Sequence, residues 1–166
     1  MIELIKVEDT RRILPYTTRD VRRILPHGEK WRLLDHVDIV ELKTSALQAI
    51  GGLTVTEGHC EDHFPSMPIF PAAFSQEMVA QTLAMLFYHQ HPEHWGKIPL
   101  FREMKNPKWS NLAFPGDRII ATVEITEIKT IKGGRIKMTG KGEASRVSDK
   151  LELIFSVEEI VGVSAA

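Results

Sequence analysis

The sequence predicts an α+β protein in which an antiparallel sheet curls around one long central helix. Three observations predict it. Residues 72–89 hold no glycine or proline, and their apolar side chains occupy nearly every helical face. A helix that is apolar all round is a buried one. Residues 118–129 and 135–146, on either side of Lys132-Gly133-Gly134, form a strong hairpin signal. The order is two strands, the helix, then four strands, which suits a sheet whose inner face covers the helix.

Taken in order, Thr17 followed by Asp20 resembles a capping box, so a short helix over 18–24 is expected, ended by Pro26. Residues 31–42 and 45–56 read as the first two strands, and Gly51-Gly52 as a bend or bulge in the second. Residues 57–71, with three prolines in a polar mixture, read as loop. A polar connection over 89–96 follows the central helix, and strands return over 98–105, 118–129, 135–146 and 151–159. The pentapeptide Arg11-Arg12-Ile13-Leu14-Pro15 recurs as Arg22-Arg23-Ile24-Leu25-Pro26, too short and too few for a repeat architecture. No linker divides the chain, so residues 1–166 are expected to form one domain with its motif-bearing core at about 20–159.

The composition excludes several classes. The 43% apolar and 26% charged residues are those of an ordinary globular protein. A formal net charge of −1 with dispersed basic residues supports neither nucleic-acid nor polybasic membrane binding. A single cysteine, Cys60, forbids an internal disulfide and fits a reducing cytoplasm. Acids near the N-terminus (Glu3, Glu8, Asp9) argue against a signal peptide, and the apolar stretch 78–88 is too short to span a bilayer. A cytoplasmic location is expected. No metal site is expected: His59, Cys60 and His63 lack zinc-site spacing, as do His89, His91 and His94. Trp31, Trp95 and Trp109 are expected in the core or at an interface, and Arg102, Lys105 and Lys108 on a solvated or carrier-attracting face.

The chemistry concentrates at His63-Phe64-Pro65, Pro68 and Pro71, running into the helix that carries Glu77 and Gln81. Burying a carboxylate without a partner costs several kcal/mol or favours its neutral form. Glu77 on an apolar helix therefore looks selected for chemistry. A histidine and a glutamate brought together in a dry pocket form a general base and a general acid. Gln81, one turn from Glu77 on the same face, either orients it by a hydrogen bond or is a core amide.

These residues resemble the active-site motif of the 3-hydroxyacyl-[acyl-carrier-protein] dehydratases, which have the hot-dog fold. That pattern is H-F-P-x-x-P-x-x-P-G, four residues, then E-A-x-A-Q. The chain matches it at His63, Phe64, Pro65, Pro68, Pro71, Glu77, Ala80 and Gln81. Leu25-Pro26-His27 with Leu33-Leu34-Asp35 is similar to the family's opening, and Phe114-Pro115-Gly116-Asp117 to its turn before the long hairpin. The resemblance implies dehydration of 3-hydroxyacyl to trans-2-enoyl thioesters in fatty-acid, lipid or polyketide synthesis, with His63 as base and Glu77 as acid. It implies amides near Ala72 and Ala73 at the thioester oxygen, and Phe64, Pro71 and Gln81 beside the substrate. It implies no diffusible cofactor: the substrate rides on the phosphopantetheine of acyl carrier protein. Base and acid come from different subunits in this family, implying a homodimer at least, or a trimer of dimers.

Three departures stand out. Ala72 replaces the glycine after the last proline, Asp62 replaces the glycine before the histidine, and His59-Cys60 replace two phenylalanines near the acyl pocket. Two rivals stay open: a thioesterase, since hot-dog proteins include these too, and, on the departures at Asp62 and Ala72, a catalytically weak relative that binds acyl chains or carrier protein.

Overall fold

The computed structural model describes residues 9–164. The expectation about the extreme N-terminus lies outside them. Strand β1 (Thr10–Tyr16) precedes helix α1 (Thr18–Ile24), and β2 (His36–Leu42) and β3 (Leu47–Thr54) follow. A short helix α2 (Glu57–Cys60) and the long helix α3 (Ala72–Gln90) come next. Then come β4 (Pro99–Lys105), β5 (Lys108–Trp109), β6 (Arg118–Thr130), β7 (Ile136–Val147) and β8 (Leu151–Ser164). The sheet runs β1-β2-β3-β6-β7-β8-β4, with β5 also paired to β8, and each pairing is antiparallel. This is the hot-dog fold: a curled sheet around one helix.

Helix α3 is as apolar as expected. Met78, Val79, Leu83, Met85 and Leu86 are essentially inaccessible, and Gln81 and Thr82 are buried with them. The sheet admits the helix through glycines. A Cβ on Gly142 would lie 2.6 Å from Val79, and one on Gly140 would lie 2.6 Å from Leu83 and 2.7 Å from the carbonyl oxygen of Glu124. A backbone oxygen cannot rotate away. Gly140→Ala should therefore destabilise the fold by about 1–3 kcal/mol through overpacking. Urea unfolding checks this, and a midpoint equal to wild type would contradict it.

The β6–β7 hairpin closes at Gly133 (φ 83°) and Gly134 (φ 72°), left-handed backbone that glycine adopts without a Cβ clash. The capping box of α1 is present: Asp20 Oδ2 accepts from the Thr17 amide at 3.0 Å and from its hydroxyl at 2.7 Å. These two bonds hold the Asp20 carboxyl below the usual carboxylate range.

Several expectations are corrected. Three strands, not two, precede α3, because β1 pairs with β2 although it is largely exposed and shows no clean alternation. The repeated pentapeptide thus takes two forms, strand throughout its first copy and, in its second, the last helical turn (Arg22 to Ile24) followed by the extended Leu25. Five strands, not four, follow α3, the extra one being the two-residue β5. Residues 29–31 form a 3₁₀ turn, and β2 starts only at His36. Residues 57–60 form α2 within the expected loop. Gly51 and Gly52 pair in regular register; Gly51 leaves room for Thr82 and Leu34, and Gly52 for the His36 ring. The three tryptophans are not core residues, being 58%, 38% and 47% exposed in chain order.

Candidate active site

Two of the three sequence motifs act as scaffolding. In the opening motif, Leu33 and Leu34 are buried, and Asp35 Oδ2 accepts from the Thr54 amide at 2.8 Å. The backbone there also grips α3: the Leu33 amide donates to Gln81 Oε1 at 2.9 Å, and Gln81 Nε2 donates to the Trp31 carbonyl at 2.6 Å. In the downstream motif, Asp117 Oδ2 accepts from the Phe114 amide at 2.8 Å and pairs with Arg146 at 3.4 Å. Gly116 there has φ 94°. The carbonyl of Ala113, just before this turn, accepts from the Phe70 amide at 2.8 Å, which anchors the proline loop.

The proline loop sets the histidine. Its Nδ1 lies 2.9 Å from the carbonyl oxygen of Ile69, which can only accept, so Nδ1 carries the proton. That leaves the Nε2 lone pair of His63 free, the state a general base needs. The His63 ring is exposed and tilts against Phe64, centroids 4.4 Å apart, with Phe64 itself 50% exposed. Asp62 takes φ 60°, left-handed backbone that favours glycine but that aspartate tolerates better than most residues. The substitution thus keeps the backbone form that a glycine there would adopt freely.

Pro71 is the N-cap of α3, and no side chain caps the first turn, so the Ala72 and Ala73 amides open on an exposed surface. The Ala72 carbonyl accepts from Ser75 Oγ at 2.8 Å and from the Trp109 indole at 3.1 Å. Positive φ at non-glycine positions among the described residues occurs at Ser45, Asp62 and Asn106 only. Ala72 therefore keeps ordinary right-handed backbone, and its methyl meets no conformational barrier.

Glu77 sits one turn into α3 with its side chain 29% exposed, so the dry burial expected from the apolar helix is not realised within one chain. Its Oε1 accepts from Gln81 Nε2 at 2.8 Å and lies 3.3 Å from Nε2 of His27. Of the two readings of Gln81 both hold at once: the amide is buried and it orients Glu77. The carboxyl borders a cleft of ≈ 100 Å³ between α3 and the last strands, lined by His27, Leu83, Leu100, Phe101, Met138 and Ile160 among others. His27 is the site residue that sequence reasoning missed. Its signal was present in the opening motif, but contact with Glu77 is made only by folding.

The structure brings Glu77, Gln81 and His27 together, and Pro71, Ala72 and Ala73 at one helix end. It does not bring His63 to Glu77: His63 is bonded in its own loop and does not line the cleft. His59 and Cys60 stand apart from this chemistry. His59 accepts from the Thr56 amide at 3.0 Å and packs edge-on against Phe70. Burial disfavours its charged form and pushes the Cys60 thiol up. Among the described residues no group of three His, Cys, Asp or Glu side chains converges on a point that could hold a metal ion. Lys105 is paired with Glu159, which blunts the basic face expected there.

Comparison with known proteins decides the family. The FabA-like domain family model matches residues 25–150, most of the chain and all three motifs. The chain belongs to the FabA-like dehydratases. It is similar to the 3-hydroxyacyl-[acyl-carrier-protein] dehydratase FabZ of Clostridium kluyveri, 31% identical over 147 residues that cover 87% of this chain and 97% of that one. FabZ of Clostridium botulinum is 30% identical over 139 residues, covering 83% and 93%. Among solved structures, the dehydratase heterocomplex ApeI:P of Xenorhabdus doucetiae superposes with TM-score 0.63 at 13% identity over 88% of this chain and 91% of that one. Zebra fish thioesterase superfamily member 2 superposes with TM-score 0.60 at 14% identity, covering 90% and 99%. At such identities these two speak to the fold alone. No helix among the described residues of this FabA-like chain is long and apolar enough to cross a membrane.

Proposed function

We propose that this hydro-lyase converts 3-hydroxyacyl-[acyl-carrier-protein] to trans-2-enoyl-[acyl-carrier-protein], in fatty-acid or related lipid or polyketide synthesis. The observation that carries the reading is the oriented pair of groups. His63 offers a free Nε2 by donating Nδ1–H to Ile69, and Glu77 is held by Gln81 at the mouth of an apolar cleft.

His63 removes the C2 proton and Glu77 protonates the hydroxyl leaving C3; the C2=C3 double bond forms and water departs. Enolate charge on the thioester oxygen is met by the Ala72 and Ala73 amides, where the helix dipole favours negative charge. Pro71 caps that end of the helix, Phe64 flanks the His63 ring, and the acyl chain lies in the cleft beside Gln81. The residues assigned to these roles need no diffusible cofactor, and the phosphopantetheine of acyl carrier protein presents the thioester.

The separation of His63 from the Glu77 cleft supports a site shared between protomers, and hence a homodimer at least. The edge strand β4 supports the same reading, with Leu100 41% and Phe101 47% exposed beside the cleft. A cytoplasmic place follows from the same reading and from the lone Cys60.

The test is an assay of the purified protein with 3-hydroxyacyl carrier thioesters of several chain lengths, following enoyl formation and free thiol together. Enoyl formation without thiol release is the expected result. Thiol release without enoyl product would make the protein a thioesterase, and tight acyl-carrier binding without turnover would make it a non-catalytic relative.

A further inference from the structure

We propose that His27 is a positioning residue for Glu77: together with Gln81 it engages Oε1, so that the transferable proton sits on Oε2. This inference rests on Glu77 being the acid.

Gln81 is oriented by the backbone. Its Oε1 accepts from the Leu33 amide at 2.9 Å, and a backbone N–H can only donate, so the orientation of the side-chain amide is settled. Nε2 then donates one hydrogen to the Trp31 carbonyl at 2.6 Å and the other to Glu77 Oε1 at 2.8 Å. Oε1 of Glu77 is therefore an acceptor toward Gln81 whether the carboxyl is neutral or ionised.

His27 Nε2 lies 3.3 Å from that same oxygen, while its Nδ1 is buried without a hydrogen-bond partner among the described residues. Two tautomers are available. If Nδ1 held the proton, a buried N–H would be orphaned; if Nε2 holds it, only a lone pair goes unmatched. Orphaned buried donors are the rarer defect. Nε2–H therefore faces Oε1 across 3.3 Å, and with the Gln81 N–H bonded to that same oxygen a proton is disfavoured there. The proton goes to Oε2. The loop that carries His27 is held in turn, since its carbonyl accepts from Arg32 Nη2 at 2.6 Å and the preceding Leu25 is buried.

The consequence for the reaction is directional. As the C3–O bond breaks, the Oε2 proton passes to the departing hydroxyl, and the electron pair left on the carboxylate is met by the two N–H groups already at Oε1. Without His27 only Gln81 Nε2 holds Oε1, and because a hydroxyl oxygen can accept that one N–H, the proton can sit on either oxygen.

The experiment compares His27→Phe, which keeps a ring but no donor, with His27→Gln, whose Nε2 can reach the imidazole Nε2 position. Expected for His27→Phe is a fall in kcat of roughly 10- to 100-fold with KM within about two-fold of wild type, the scale of a misplaced catalytic group. His27→Gln should recover most of that loss. The solvent deuterium isotope effect on kcat should rise in His27→Phe, because proton delivery becomes limiting. His27→Leu, smaller than Phe, gives the same comparison should the larger ring not fit.

An unchanged kcat, a change confined to KM, or His27→Gln as slow as His27→Phe would overturn the proposal. Combining His27→Phe with Glu77→Gln should cost no more than Glu77→Gln alone, because residues acting as a unit are not additive. Additive losses would also overturn it. Failure of the acid reading shows separately, as full activity in Glu77→Gln with His27 unmutated.

Discussion

Glu77→Gln should lower the rate of dehydration by about 10²- to 10⁴-fold, the usual contribution of a positioned general acid, while leaving the fold intact. The substitution is nearly isosteric. A glutamine oxygen in place of Oε1 still accepts from Gln81 Nε2 and still faces His27 Nε2, so the helix face keeps its hydrogen bond. What is lost is the proton: an amide N–H does not transfer to a leaving hydroxyl at neutral pH. The side chain is 29% exposed, so no buried group is orphaned and the thermal midpoint should stay within a few degrees of wild type. Enoyl absorbance with a 3-hydroxyacyl carrier thioester measures the rate, and thermal unfolding measures the fold. Full activity in this variant would sink the assignment of the acid.

His63→Ala is the second large effect, and it is informative in combination. Alone it removes the base and one hydrogen bond to the Ile69 carbonyl, on an exposed loop. The stability cost should be about 1 kcal/mol or less, against a rate loss comparable to that of Glu77→Gln. Mixed after dissociation and reassembly, the two inactive proteins should regain activity. If base and acid come from different protomers, each mixed dimer holds one site with both residues intact, so about a quarter of all sites recover under random pairing. No recovery, with mixed dimers demonstrated by mass, would place both groups in one protomer and contradict the shared site.

The central helix and the hairpin were readable because they rest on local signals. A stretch without glycine or proline and apolar on all faces has one stable environment, inside a sheet. A Gly133-Gly134 turn between alternating segments has one inexpensive geometry. Strands β1 and β5 were not readable, for a physical reason: both are exposed, β5 has two residues, and their pairing with β2 and β8 is set by neighbours distant in sequence. The two copies of Arg-Arg-Ile-Leu-Pro make the same point, since identical local chemistry becomes strand in one place and the end of a helix in the other.

By itself the sequence determined the residue types of the site and their spacing along the chain: a histidine in a proline-framed loop, a glutamate one turn into the helix, a glutamine one turn further on. These follow from covalent order and helical period, which need no tertiary information. Only the tertiary structure decided what each group faces. It turned Gln81 so that a donor meets Glu77, protonated His63 on Nδ1 through the Ile69 carbonyl, and carried His27 across from the opening motif to the same carboxyl oxygen. It also set His63 and Glu77 apart within one chain. Hydrogen-bond partners are chosen by three-dimensional packing, and no periodicity along the chain encodes which backbone carbonyl or amide a side chain will find.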